Sequence, residues 1–233
     1  MNYSEVIALL KINKSSLGIE KWNNKKPRTG RLKSFGIGLT KLRKLAKEVG
    51  KDHVLALQLW KSAYYDVKII ALLIDDPKQI TRAQVELQIE ELDQGHLMHV
   101  FSSCGAPLAK TSYVVDLAYD WIHSKDSIRR CCGYGLLYEI SKSKKKNTPN
   151  DAFFLEIIEY ISKQFDKENR QVRGAMGGAL LGIGKRSVKL NAAAFKLAKA
   201  IGPIQIGSDQ STCKPFDVEK HLTSDYIKRK LGV

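Results

Sequence analysis

This sequence lacks several features that would place it in common protein classes. No uncharged stretch is long enough to cross a membrane, since the segment from Gly174 to Gly184 is short and rich in glycine. No apolar run near Met1 resembles a signal peptide. The four cysteines show no paired spacing, and disulfide geometry strongly disfavours a bond between the adjacent Cys131 and Cys132. We therefore expect a soluble cytoplasmic protein whose cysteines are small core residues.

Strand signals and cofactor motifs are also scarce. Only Ile204 to Ile206 favours an extended segment. The glycines between Met176 and Arg186 do not have the spacing of a phosphate loop, and we interpret them as sites of close approach by a helix or a DNA backbone. His96 and His99 lie one helical turn apart, but no set of zinc ligands accompanies them, so we interpret both as partly buried. We expect no cofactor and no metal.

Acidic residues are missing from two long windows of the chain. Residues 21 to 47 contain ten Lys or Arg and no Asp or Glu, and residues 169 to 208 contain seven and none. The two windows hold 17 of the chain's 39 Lys and Arg and none of its 24 Asp and Glu. Because helices gather such an imbalance into a positive face, it favours a polyanionic partner. Nucleic-acid binding is therefore the first hypothesis.

Apolar residues recur at helical spacing through almost the whole chain. The spacing predicts a helix over 39–49 that ends at Gly50, a residue that suits a helix C-terminus. The polar side of this helix carries Lys41, Arg43, Lys44 and Lys47. Further helices are predicted over 53–60, 64–74, 82–92, 114–123, 128–140, 151–164, 172–183 and 192–201. An irregular loop over 203–217 and a short terminal helix follow.

Three of the predicted helices begin with a branched apolar residue followed by a cation. The starts are Asp66-Val67-Lys68-Ile69, Ser127-Ile128-Arg129-Arg130 and Gln171-Val172-Arg173-Gly174. Each follows another amphipathic helix. This pattern is typical of HEAT-type repeats, in which the second helix of every pair lines one concave surface. A helical bundle with arginines near its helix starts is the alternative interpretation.

The HEAT-type interpretation predicts a single all-α domain over residues 1–233. It would be a solenoid of antiparallel helix pairs with a concave basic face. The candidate DNA contacts come from the helix starts, the acid-free windows and the lysine run at 142–146, which is otherwise a solvated connector. They are Arg130, Arg173, Arg129, Lys68, Arg31, Lys33, Arg43, Lys144, Lys145 and Lys185.

Six segments stand in a suggestive order and spacing over residues 36–181. They are Phe35 to Lys47, Leu57 to Trp60, Ile70 to Pro77, Trp121-Ile122, Ile128 to Arg130 and Val172 to Ala175. Together they resemble the bacterial DNA alkylation-repair family, the HEAT-like alkylpurine DNA glycosylases. The resemblance implies an all-helical, C-shaped scaffold whose concave basic face holds duplex DNA. It also implies that Arg130 matches an arginine that the family keeps near the lesion.

Active members of the resembled family remove N3- and N7-alkylated purines. They stabilise the sugar cation with an aspartate from a Trp-Asp motif. In this chain, residues 95–115 contain neither a carboxylate nor a Trp, and the positions nearest the family's acid are Phe101 and Ser102. By the same resemblance, active members have a second Trp at or beside the position that Gly178 occupies in this chain. Loss of the one anion aimed at a developing positive charge typically costs about two orders of magnitude in rate or more.

Three hypotheses follow from these observations. The first is a DNA-binding member of the family that grips damaged, bent or branched duplex through phosphates, with base excision lost or weak. The second is an active glycosylase that uses another carboxylate such as Asp116 or Asp120, although Asp120 beside Trp121 favours an outer helix. The third is a HEAT scaffold for an acidic protein partner. We expect a monomer that binds double-stranded or branched DNA and no membrane.

Overall fold

The computed structural model describes residues 1–24, 32–92, 95–143, 148–206 and 214–232. Helices make up most of this part of the chain, whose β-type pairings are two isolated bridges, Lys33 with Tyr64 and Ile204 with Phe216. None of the helices within these ranges has the length and apolar character needed to span a membrane. The all-α prediction is confirmed. The chain divides into two compact units, residues 1–112 and 113–233, and the single-domain organisation stays a prediction.

The first unit is built around one almost entirely buried helix. Its α-helices are α1 (Tyr3–Ile12), α2 (Ser16–Asn23), α3 (Leu39–Val49), α4 (His53–Trp60), α5 (Tyr65–Ile74), α6 (Arg82–Ile89) and α7 (Leu97–Ser102), followed by a 3₁₀ helix (Pro107–Lys110). α5 is the central helix, because α1, α3, α4 and α7 all pack against it. Nine of its residues are buried, which explains why its sequence is apolar on every side.

A buried carboxylate connects α5 to the segment that leads into α3. Asp66 is fully buried in the first turn of α5. One of its oxygens accepts hydrogen bonds from the Ser34 hydroxyl at 2.8 Å and the Phe35 amide at 2.7 Å, and the other accepts from the Ile37 amide at 2.9 Å. Charge-assisted bonds of this kind are strong, so they set the path of the chain before α3. Asp66 therefore positions the basic helix of the first acid-free window.

The second unit contains the longer helices. These are α8 (Val114–Ile122), α9 (Ser127–Lys142), α10 (Asp151–Gln164), α11 (Arg170–Gly184), α12 (Val188–Ile201), α13 (Val218–Leu222) and α14 (Asp225–Leu231), with a 3₁₀ turn (Phe165–Lys167) before α11. α9 and α11 pack against each other at the centre, α8 covers α9, and α12 contacts both α10 and α11. The two helix starts predicted to be inner ones in this unit therefore do lie on its central helices.

Helix bounds agree closely with the predicted ones. The sequence also offers Thr40, Thr81, Ser112 and Asp151 as plausible helix caps, and of these four only Thr81 is one, since Asn150 caps the helix that begins at Asp151. The Thr81 hydroxyl caps α6 as expected, accepting from the Gln84 amide at 3.1 Å. Thr40 lies inside α3, which begins after Gly38, and the residue before α8 is Tyr113 rather than Ser112. Side-chain caps leave a weaker sequence signal than apolar spacing because one residue, not a periodic set, carries it.

The glycines of α11 have different surroundings. A Cβ on Gly177 would stand 2.5 Å from Ile204 Cδ1, and one on Gly184 would stand 2.6 Å from Leu222 Cδ2. A Cβ on Gly182 would meet Ser141 Oγ and Tyr138 Cδ2 of α9, each at 2.6 Å. At Gly178, by contrast, no described atom lies within 4 Å of that position. Packing explains three of these glycines, and Gly178 faces open space.

This difference makes a matched pair of substitutions informative. We expect Gly178→Ala to raise the free energy of unfolding by about 0.5–1 kcal/mol, because Ala favours a helix and meets no neighbour there. Gly182→Ala, one turn away, should lower it by about 1–3 kcal/mol through overpacking against α9. Urea unfolding of the two variants measures both changes. Destabilisation by Gly178→Ala would contradict the open surroundings of that residue.

Candidate nucleic-acid interface

Three helices of the second unit bring lysines together. Lys142 lies in the last turn of α9, Lys185 is the C-terminal cap of α11, and Lys230 lies in the last turn of α14. Burial lowers the pKa of the Lys185 ammonium, and the charges of Lys230 and Lys142 lower it further. We call these residues the three-lysine cluster.

The three-lysine cluster is electrostatically unfavourable by itself. Within the described part of the chain, the ion pair of Lys142 with Glu139 at 2.7 Å offsets part of this positive charge. A phosphate bound beside Lys185 would oppose this lowering of its pKa, because it would supply a partner and offset the neighbouring charges. Like charges gathered from separate helices are therefore suited to an anion.

The first unit presents its cations along α3. Lys41, Lys44 and Lys47 are exposed on one side of this helix. Arg43 is half-buried, and its Nε and Nη2 atoms are buried with no hydrogen-bond acceptor among the described residues. Buried polar groups without a partner are rare because each costs about 1–3 kcal/mol. These two atoms are therefore donors that the described part of the protein leaves unsatisfied.

Arg130 is placed differently from the exposed contact that was predicted. Its Nε and Nη2 atoms approach the two carboxylate oxygens of Glu168 at 2.7 and 2.8 Å. Its Nη1 donates to the backbone oxygens of Ser124 and Lys125 at 2.9 and 2.7 Å. The hydrogen bond that Arg130 donates to Glu168 raises the pKa of this guanidinium above its ordinary value, against the effect of burial. Arg130 thus joins the turn before α9 to the turn before α11.

Arg173 also holds a turn. Its Nε donates to the Phe165 oxygen at 2.9 Å, and its Nη2 donates to the Asp166 oxygen at 2.7 Å. The guanidinium also lies over the Phe165 ring, 5.4 Å from its centroid. Two of its N–H groups are used in this way, and the side chain keeps partial exposure.

Lys68 does not lie on the surface, which corrects the prediction for this residue. Only 3% of it is exposed, and its Nζ lies 2.9 Å from Glu91 Oε2 and donates to the Trp60 oxygen. The same ammonium lies 4.2 Å from the centroid of the Trp60 ring. Interior packing at the start of α5 is the physical reason, since the aromatic ring and the carboxylate together satisfy this charge.

The other predicted contacts fall into two groups. The side chain of Lys33 is exposed, while its backbone bonds to Ala63 and Tyr65 and forms the bridge with Tyr64. Arg129 is half-buried at the start of α9, and its Nη1 lies 4.0 Å from Asp126. The remaining three, Arg31, Lys144 and Lys145, lie outside the described residues.

Sequence reasoning missed the contribution of the last helix. α14 carries Lys228, Arg229 and Lys230 as consecutive exposed cations, and Lys230 completes the three-lysine cluster. Three adjacent cations in the terminal helix were a visible signal. Sequence reasoning also missed Glu168, because nothing in the local pattern connects a carboxylate after α10 with an arginine of α9.

The segment predicted to lack the family's catalytic motif presents an imidazole and a thiol to solvent. Phe101 and Ser102, the positions predicted to be nearest the family's acid, are both buried. His96 and His99 are exposed, which corrects the prediction of partial burial, and His99 Nε2 lies 2.7 Å from Cys104 Sγ. Cys104 is likewise exposed, which corrects its prediction as a core residue. Cys131 and Cys132 are core residues as predicted, and Cys213 lies outside the described residues.

Comparisons with known proteins agree with this architecture. Two relatives are uncharacterized proteins of Listeria, Lin0241 of Listeria innocua and Lmo0209 of Listeria monocytogenes. Each is 21% identical to this chain over 190 residues, which cover 81% of the chain and 81% of the relative. Their names assign no activity.

A solved structure is similar over 100% of this chain and 97% of its own, with a TM-score of 0.81 and 18% sequence identity. It is described as representing a new family of proteins related to the HEAT-like repeat DNA glycosylases, with affinity for branched DNA structures. This likeness confirms the HEAT-like repeat class. Residues 21–200 match the model of the family described as DNA alkylation repair enzyme. Because that match spans more than half of the chain, this protein belongs to the DNA alkylation repair enzyme family.

Proposed function

We propose that this protein grips damaged, bent or branched duplex DNA through its basic surfaces and has little or no base-excision activity. The observation that carries the proposal is the three-lysine cluster, in which the C-terminal ends of three helices contribute Lys142, Lys185 and Lys230 to one basic surface. A duplex backbone supplies closely spaced phosphates, which are the anions that such a cluster lacks.

The basic face of α3 supports the same partner. Its exposed lysines and the unsatisfied guanidinium atoms of Arg43 are donors without a carboxylate in the surrounding window from 21 to 47. Contacts of this kind bind the sugar-phosphate backbone and do not distinguish bases. The protein should therefore select DNA by its shape. The affinity of the similar solved protein for branched DNA structures supports the branched form of substrate.

The segment 95–115 supports the loss of base excision. It contains no carboxylate, and its exposed His96, His99 and Cys104 side chains offer no fixed negative charge. An N-alkylated purine is already a cationic leaving group, so the main task of a glycosylase is to stabilise positive charge on the sugar. A segment without a carboxylate has no fixed negative charge for that task.

Single-turnover release of alkylated purines tests the absence of base excision. With saturating protein, release of 3-methyladenine or 7-methylguanine from alkylated duplex should stay near the spontaneous rate. Release well above background that Asp116→Asn or Asp120→Asn abolishes would contradict this expectation and identify a relocated catalytic acid. Both carboxylates are exposed on α8, so neither substitution disturbs the core.

Competition between DNA shapes tests the binding itself. A labelled four-way junction should be displaced less readily by linear duplex of the same sequences than by unlabelled junction. Equal displacement would contradict selection by shape. Failure to bind either DNA, together with retention on an acidic polypeptide, would instead favour the scaffold hypothesis.

A further inference from the structure

A cleft in the second unit combines positive charge with apolar walls. It has a volume of about 330 Å³, and Arg170 and Arg173 of α11 line it together with one acidic residue, Asp166. The rest of the lining is Phe165, Ile201 at the end of α12, and the residues Pro203, Ile204 and Gln205 that follow it. Ligand pockets range from about 300 to 1,000 Å³, so the cleft suits one small group.

The guanidinium of Arg173 is held in position at the edge of this cleft. Its bonds to the Phe165 and Asp166 oxygens fix the plane of the group. Its other N–H groups make no hydrogen bond to the described residues, and they remain for a ligand. A planar guanidinium of this kind donates to a phosphate with its edge and stacks on a base with its face.

The apolar side of the cleft is equally fixed. Ile204 exchanges two backbone hydrogen bonds with Phe216, at 2.9 and 2.7 Å, and its Cδ1 lies over Gly177 of α11. The wall is therefore attached to the helix that carries the arginines. A cleft with a cationic edge and an apolar interior matches the two parts of a nucleotide, a phosphate and a flat base.

We propose that this cleft binds one unpaired nucleotide at the branch point or bulge of the DNA, with its phosphate at Arg170 and Arg173 and its base against Ile201, Pro203 and Ile204. The inference rests on the proposed function. It adds a second source of selectivity besides the path of the phosphate backbone, because a branch or bulge supplies an unstacked base that paired duplex does not.

Two hairpin duplexes that differ by one unpaired nucleotide provide the test. The wild-type protein should bind the bulged hairpin at least about tenfold more tightly than the paired one. Arg170→Ala should reduce this ratio to near one. The control Lys189→Ala removes one exposed charge from α12, outside the cleft, and should lower both affinities by the same factor. If Arg170→Ala also lowers both affinities equally, Arg170 is an ordinary phosphate contact and the proposal is wrong.

A second pair of variants tests the apolar wall. Ile201→Glu places a carboxylate in the cleft and should abolish the preference for the bulged hairpin. Ile201→Gln introduces a neutral side chain of the same size as Glu and should retain most of that preference. Acrylamide quenching of 2-aminopurine at the unpaired position needs no variant. The base should be protected in the wild-type complex, and quenching as strong as in free DNA would overturn the proposal. Failure to bind either hairpin would instead overturn the proposed function.

Discussion

The affinity for a short duplex should fall by about 10²- to 10⁴-fold between 50 and 200 mM salt. Each neutralised phosphate contributes about 0.9 to the slope of log K against log salt, and we expect about four to eight contacts. Titration at several salt concentrations measures this slope. A value shallower than about two would contradict binding through the phosphate backbone.

The three-lysine cluster should account for part of that slope. Replacing Lys185 and Lys230 with Gln should reduce it by about two, since each phosphate contact contributes about one unit. Lys142 is kept because Glu139, its partner, has a side chain only 7% exposed. The control replaces Lys11 and Lys163, exposed lysines outside the acid-free windows, and should leave the slope nearly unchanged. Equal reductions in the two double variants would show that net charge, not the cluster, sets the affinity.

Glu168→Gln should lower the free energy of unfolding by about 3 kcal/mol. The substitution leaves the Arg130 charge without its carboxylate, and both side chains are largely buried, at 18% and 10% exposed. The turns before α9 and α11 would lose their common connection. Thermal or urea unfolding measures the change.

The matched control for this prediction is Glu159→Gln. Glu159 pairs with Lys163 at 2.6 Å on α10, but both side chains are about two-thirds exposed. Pairs of this kind contribute at most about 1 kcal/mol because water screens them. Similar losses in the two variants would contradict the structural role of Arg130 and return it to the set of DNA contacts.

An arginine at a helix start can either stabilise the fold or contact DNA, and the sequence does not separate these two roles. From the sequence, Arg130 and Arg173 were predicted to be contacts on a basic wall. In the structure, both guanidiniums hold the turn between α10 and α11, Arg130 through Glu168 and Arg173 through backbone oxygens. Their substitution should therefore change stability first. Arg173 keeps N–H donors for a ligand. The guanidinium of Arg130, by contrast, is occupied by the Glu168 carboxylate and by two backbone oxygens.

The sequence predicted that the candidate site would be positively charged, but it did not predict which residues would form the site. The acid-free windows located α3 and α11 correctly, because a helix converts a run of cations into an exposed stripe. Lys68 shows the limit of this reasoning, since its burial depends on Trp60 and on Glu91, which lies 23 residues away. Lys185 shows the opposite case, because its neighbours Lys142 and Lys230 come from two other helices.

The sequence by itself determined that this protein is helical, where most helices begin and end, and that two windows carry only positive charge. Those properties depend on apolar spacing and on composition, which are local. Only the tertiary structure decided which cations are satisfied by the protein and which are left for a ligand. A charged side chain is buried, paired or exposed according to residues that are distant in sequence and adjacent in space, and no local pattern records them.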